Sequence, residues 1–120
     1  MPIVKLYTNH KVTENFAKDF TTFLSTTLNK PNSSIFIIIK DQEKLTVGGE
    51  SDDRIVVLEL KAVGIINNTS NVGFSQAITN YLTQAIDVKP EKVIIDFALL
   101  DPGFVGKSGT TVEEMQKSKQ

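Results

Sequence analysis

Pro2 is the residue with the least ordinary chemical prospect in this sequence. It follows Met1 and leads into Ile3-Val4-Lys5-Leu6-Tyr7, a short run ahead of the turn residues Thr8-Asn9. A proline in second place is the usual setting for removal of an initiator methionine, which would leave a secondary amine at the terminus. An ordinary α-amine titrates near pH ~8. Burial disfavours its charged form and lowers that value. A buried terminal proline can therefore be neutral at working pH and serve as a general base. Proline is about one residue in twenty anyway, so this stretch gains weight only from the rest of the chain.

Other candidate chemistry is sparse. There is no cysteine, which excludes thiol nucleophiles, disulfides and cysteine-bound zinc. His10 is the single histidine; it reads as an exposed loop residue, and one histidine without cysteine does not make a metal site. Asp52-Asp53 reads as a solvated turn. No cofactor is expected. With 13 basic and 14 acidic residues and a net charge of -1, the chain has no electrostatic footprint for nucleic acid or an anionic membrane. Its longest apolar run, Ile35 to Ile39, is far too short to insert across a bilayer. The first residues lack a positive stretch followed by a long apolar one, so no secretory signal is expected.

The elements that would hold Pro2 come next. Pro2 to Thr8 reads as a strand. Val12, Phe16, Phe20, Phe23, Leu24 and Leu28 recur at helical spacing, with Thr13 as the expected N-cap. Lys30-Pro31 stops that helix, because proline disfavours helical backbone just before it. Ser34 to Lys40 is a strand with two apolar faces, Leu45 to Val47 a short strand, and Gly48-Gly49 a break. Arg54 to Val63 begins the same order again. A second helical stripe runs from Phe74 to Ile86, capped by Ser70 or Asn71, and Lys89-Pro90 echoes Lys30-Pro31 before a strand at 92–99.

Each half is thus strand, helix, Lys-Pro, strand, in pseudo-repeats of about 1–49 and 54–105. Crossovers of this kind are right-handed and make parallel pairs. The expected architecture is α/β (α+β in some schemes): two βαβ units in one four-stranded mixed sheet, with both helices on one face. A single domain over 1–111 and a loose polar tail over 112–120 complete the expectation. Two helices cover only one sheet face, yet the 35–39 strand is apolar on both, so self-association is expected.

Met1-Pro2 before a short strand, Thr8-Asn9, the duplicated halves, Lys30-Pro31, Gly48-Gly49 and Val105-Gly106 together resemble the macrophage migration inhibitory factor (MIF) and D-dopachrome tautomerase family, from Met1 to about Thr111. The segment Val105-Gly106-Lys107-Ser108-Gly109-Thr110 is more similar to the D-dopachrome branch. The resemblance implies a homotrimer and keto–enol tautomerisation of phenylpyruvate-like or dopachrome-like acids, with Pro2 as the catalytic base. It implies that Lys30 binds the substrate carboxylate and that Val63 and Val105 form the pocket wall. Ile94 and Asp96 stand where MIF has a tyrosine and an asparagine that reach a neighbouring subunit's pocket. Ile94 suits the D-dopachrome branch; Asp96 would repel an anionic substrate. The MIF Cys-x-x-Cys motif is absent, so a thiol redox role does not carry over. The resemblance also implies a second kind of function, a cytokine-like protein that binds a cell-surface receptor, held in the cytoplasm and secreted without a signal peptide.

Overall fold

The computed structural model describes residues 1–118. Four strands form the main sheet: β1 (Ile3–Thr8), β2 (Phe36–Lys40), β3 (Val56–Ala62) and β4 (Val93–Leu99). Their order is β2-β1-β3-β4. β1 pairs with β2 and β3 with β4 in parallel, while β1 and β3 run antiparallel. This is the duplicated βαβ arrangement, joined along the first strand of each unit.

Alternation along the strands sorts their residues. Val4, Leu6 and Thr8 of β1, and Val56, Leu58, Leu60 and Ala62 of β3, are buried. All but Thr8 pack in one cluster with helix α1 (Phe16–Leu28), through Phe16, Phe20, Leu24 and Leu28, and with helix α2 (Asn68–Ala85), through Ile78 and Leu82. The helices also meet directly: the rings of Phe23 and Tyr81 stack at 4.2 Å, and those of Phe20 and Tyr81 at 5.6 Å. Both helices therefore share one sheet face. Across the other face run the rows Phe36–Ile3–Lys61–Ala98, Ile38–Lys5–Glu59–Asp96 and Lys40–Tyr7–Val57–Ile94. No helix among the described residues covers them; Phe36 is 50% exposed, Ile38 44% and Ile94 64%.

Several boundaries differ from the sequence reading, each for a local reason. α1 starts at Phe16 after Asn15, not at a Thr13 cap; Thr13 instead closes a turn, its carbonyl accepting from Phe16 N at 3.1 Å. Asn67, not Ser70 or Asn71, caps α2: its Oδ1 accepts from Ser70 N at 2.8 Å. Leu45 to Val47 is not a strand. Val47 bridges back to Glu50, and Gly48 and Gly49 carry positive φ of 60° and 81° between them, a turn that glycine makes without strain. The tail read as loose carries a helix, α3 (Val112–Ser118), preceded by the hairpin β5 (Gly106–Lys107) and β6 (Thr110–Thr111).

Candidate active site

Pro2 lies fully buried at the start of β1. Its carbonyl accepts from Phe36 N at 3.0 Å, so the parallel ladder fixes the chain up to residue 2. Pro2 shares the helix-facing side of the sheet with Val4 and Leu6.

Lys30 arrives from the end of α1. Asn29 adopts a left-handed φ of 54°, which turns the chain sharply out of the helix. The Lys30 N–H donates to Ser25 O at 3.1 Å, and the Ser25 hydroxyl donates to the Lys30 carbonyl. Pro31, extended at φ -67°, then leads into a short 3-10 turn over Asn32–Ser34. The backbone of Lys30 is held on both sides, and its side chain, with Ser34, borders a cavity at Met1 of about 240 Å³. No ion pair to Lys30 occurs among the described residues.

A second cation joins it from an unexpected direction. Lys107 ends β5, and its Nζ lies 5.8 Å from the centroid of the Phe36 ring. It borders the same cavity, as do Val112, Met115 and Gln116 of α3. Burial first, and then the Lys30 and Lys107 charges, hold the terminal amine, here that of Met1, below its ordinary value. Both effects disfavour the ammonium form. The place thus offers a weakly basic, partly desolvated amine next to two cations: a proton acceptor beside an anion-binding pair.

The sequence-predicted site residues divide into two groups. Lys30 borders the cavity at Met1, whereas Pro2, the next residue along from Met1, lies buried and is not among the residues that line it. Val63 is buried, but it borders an adjacent cavity of about 560 Å³, with Gly64, Leu99, Pro102 and Gln116. Val105 is half-buried and supports α3, its carbonyl accepting from Val112 N at 2.9 Å. Ile94 and Asp96 stand exposed on the open sheet face, the side away from Pro2. Within one chain they do not meet the amine; only a second copy could bring them to it.

Sequence reasoning passed over Lys107, Ser34 and the α3 residues. A signal for Lys107 existed. Ser108-Gly109 is a two-residue turn with both φ positive, 55° and 81°, which makes a tight hairpin and brings Thr110 opposite Lys107. His10, read as exposed, is half-buried, its Nδ1 3.2 Å from the Thr8 hydroxyl oxygen. Burial and then the Arg54 charge lower its pKa, with Asp41 opposing.

The sequence model of the family described as macrophage migration inhibitory factor (MIF) matches residues 1–113. The chain belongs to the MIF family. The MIF-like protein mif-2 of Caenorhabditis elegans is 32% identical over 120 residues, covering 98% of this chain and 99% of that protein. D-dopachrome decarboxylase-B of Xenopus laevis is 26% identical, covering 93% and 98%. Among solved structures, the macrophage migration inhibitory factor of Trichinella spiralis superposes with a TM-score of 0.85 at 27% identity, covering 91% of this chain and 98% of that one. A MIF homologue from Prochlorococcus marinus reaches 0.83 at only 14% identity, over 92% and 98% of the two chains. The MIF fold is thus kept where most side chains have changed.

Proposed function

We propose that this MIF-family member is a cofactor-independent keto–enol tautomerase for small aromatic keto acids, of the phenylpyruvate or dopachrome type, with Pro2 as its base. The observation that carries the reading is the convergence of a depressed terminal amine, Lys30 and Lys107 on one cavity. Removal of Met1 would free the Pro2 nitrogen at this spot and vacate the volume of the methionine side chain. Neutral Pro2 would then take a proton from the carbon beside the substrate carbonyl. The resulting enolate takes that proton back from the Pro2 ammonium at the carbonyl oxygen, which gives the enol, so the amine ends as it began. Lys30, helped by Lys107, would hold the substrate carboxylate, and charge-assisted pairing suits both affinity and orientation.

The open sheet face supports a homotrimer, in which copies cover one another's Phe36, Ile38 and Ile94 and bring Ile94 and Asp96 toward a neighbour's cavity. A single monomeric species in sedimentation at micromolar protein would remove that part of the proposal. The cytokine-like, receptor-binding role has the relatives' names behind it, whereas the amine, the cations and the cavity are this chain's own. The deciding experiment pairs the intact mass of the natural protein with a phenylpyruvate tautomerisation assay. Loss of Met1 and measurable turnover are expected; a retained Met1, or no turnover with Met1 removed, would overturn the proposal.

A further inference from the structure

α3 is the element near the site that the two βαβ units do not explain. Val112, Met115 and Gln116 stand at i, i+3 and i+4, one face of the helix, and that face borders the cavity at Met1. Gln116 borders the Val63 cavity as well, so it stands between the two spaces.

The helix is anchored in this position. The Thr111 hydroxyl accepts from Glu114 N at 3.2 Å, and Val112 N donates to Val105 O at 2.9 Å. The Glu113 carboxylate lies against Gly103, where an added Cβ would come within 3.0 Å of Oε2. Val112 is buried, Met115 half-buried and Gln116 exposed. The inner end of the face is core and the outer end is free to meet a ligand. Methionine is flexible and makes favourable contacts with aromatic rings.

We propose that Met115 and Gln116 determine substrate size: Met115 bounds the cavity at Met1 and Gln116 parts it from the Val63 cavity, so that the site takes single-ring aryl acids and disfavours fused-ring ones. This rests on the acid-binding reading of the site, but it can fail separately. Shortening Gln116 joins the two spaces, and shortening Met115 widens the smaller cavity at Met1. A difference of a methylene or two in an apolar pocket commonly changes selectivity about tenfold or more.

The chain has two methionines, so methyl-¹³C methionine labelling gives Met115 its own signal. Titration with phenylpyruvate should move that signal by the ring current of the bound acid. Gln116→Ala and Met115→Ala should each raise the binding of 2-naphthylpyruvate relative to phenylpyruvate by about tenfold. Met115→Leu, which keeps the bulk, should retain the parent's preference. A Met115 methyl that stays in place at millimolar acid, or a preference unmoved by both alanine variants, overturns the assignment. A Met115 shift with no turnover supports the wall and strikes the tautomerase reading instead.

Discussion

The two βαβ units have nearly the same backbone and opposite prospects. Each helix is followed by a left-handed residue with φ 54°, Asn29 in the first unit and Asp87 in the second. Each then runs through a Lys-Pro pair and a 3-10 turn into a parallel strand. By register and face, Ile3 opposite Phe36 corresponds to Val57 opposite Ile94. Pro2 therefore corresponds to Val56. Val56 is mid-chain, and the residue before it is tied down: the Ile55 N–H is held by Asn9 Oδ1 at 3.0 Å, while Asn9 Nδ2 donates to the Asp53 carbonyl at 2.9 Å. The lysines diverge in the same way. Lys89 is paired with Asp53 at 3.5 Å, and Lys92 lies 4.0 Å from the same carboxylate. Lys30 faces the terminal amine instead. The duplicated geometry makes two similar corners; among the described residues, one of them differs by an amine beside a lysine with no ion pair.

That contrast should show most strongly at the first position. Pro2→Gly is expected to keep the fold, since the strand hydrogen bond uses the carbonyl of residue 2, and to lose roughly 100- to 10,000-fold in turnover, the usual worth of a positioned general base. A loss of only a few-fold would break the comparison, because the chain end would then be no more reactive than its mid-chain counterpart.

The lysine pair gives the next effect. Lys30→Ala should raise KM for keto acids by about tenfold or more, as removal of a charged hydrogen-bond partner commonly does, and should affect their esters far less. Lys89→Ala should leave both unchanged. It loses only an exposed ion pair, worth ~0–1 kcal/mol, and should lower the thermal midpoint by at most a few degrees. Equal KM effects from the two substitutions would mean that Lys30 acts merely at a helix end.

A smaller effect concerns pH. The amine is the base only when neutral, so turnover should rise through its depressed pKa and level off above it. Lys107→Ala removes one of the charges that depress the Met1 amine at this spot. With the Pro2 amine in that place after loss of Met1, the rising limb should move to higher pH, and turnover at a fixed pH on that limb should fall. Added salt should move the parent's profile the same way by screening. A profile that Lys107→Ala leaves in place would assign the depression to burial alone.

The duplicated order was legible because it rests on signals that survive without tertiary context: helical periodicity at Phe16, Phe20, Leu24 and Leu28, two Lys-Pro stops, and alternation along 56–62. The Pro2–Lys30 corner was legible by resemblance, since both residues sit at element boundaries that the pattern marks. Lys107 and α3 were not. Nothing in Val112-Glu113-Glu114-Met115-Gln116-Lys117-Ser118 is apolar enough for a long amphipathic stripe; the helix is set by the Thr111 cap and by Val112 reaching the core, both of which depend on the hairpin before it. Asn9 was legible as a turn residue and a family motif, but its hydrogen bonds were not, for a similar reason. Its partners at 53 and 55 are distant in sequence, and a side chain that satisfies a distant backbone leaves no local pattern.

The smallest effect is the most informative about assembly. Asp96 stands beside Glu59 across the parallel β3–β4 pair, and Glu59 stands beside Lys5 across the antiparallel β1–β3 pair. Like charges side by side on strands are unfavourable, so within one chain Asp96→Asn removes a repulsion and should stabilise slightly. It should do nothing to the amine of its own chain, because Pro2 lies on the other face of the sheet. In the proposed trimer the outcome differs. A neighbour's Asp96 near the cavity would favour the ammonium form of Pro2 and oppose a substrate carboxylate. Asp96→Asn should then increase turnover severalfold and lower the apparent pKa of Pro2, and the gain should shrink in high salt. A small rise in thermal midpoint without any change in turnover or in the Pro2 titration would confine Asp96 to its partnership with Glu59 and leave the site complete within one chain.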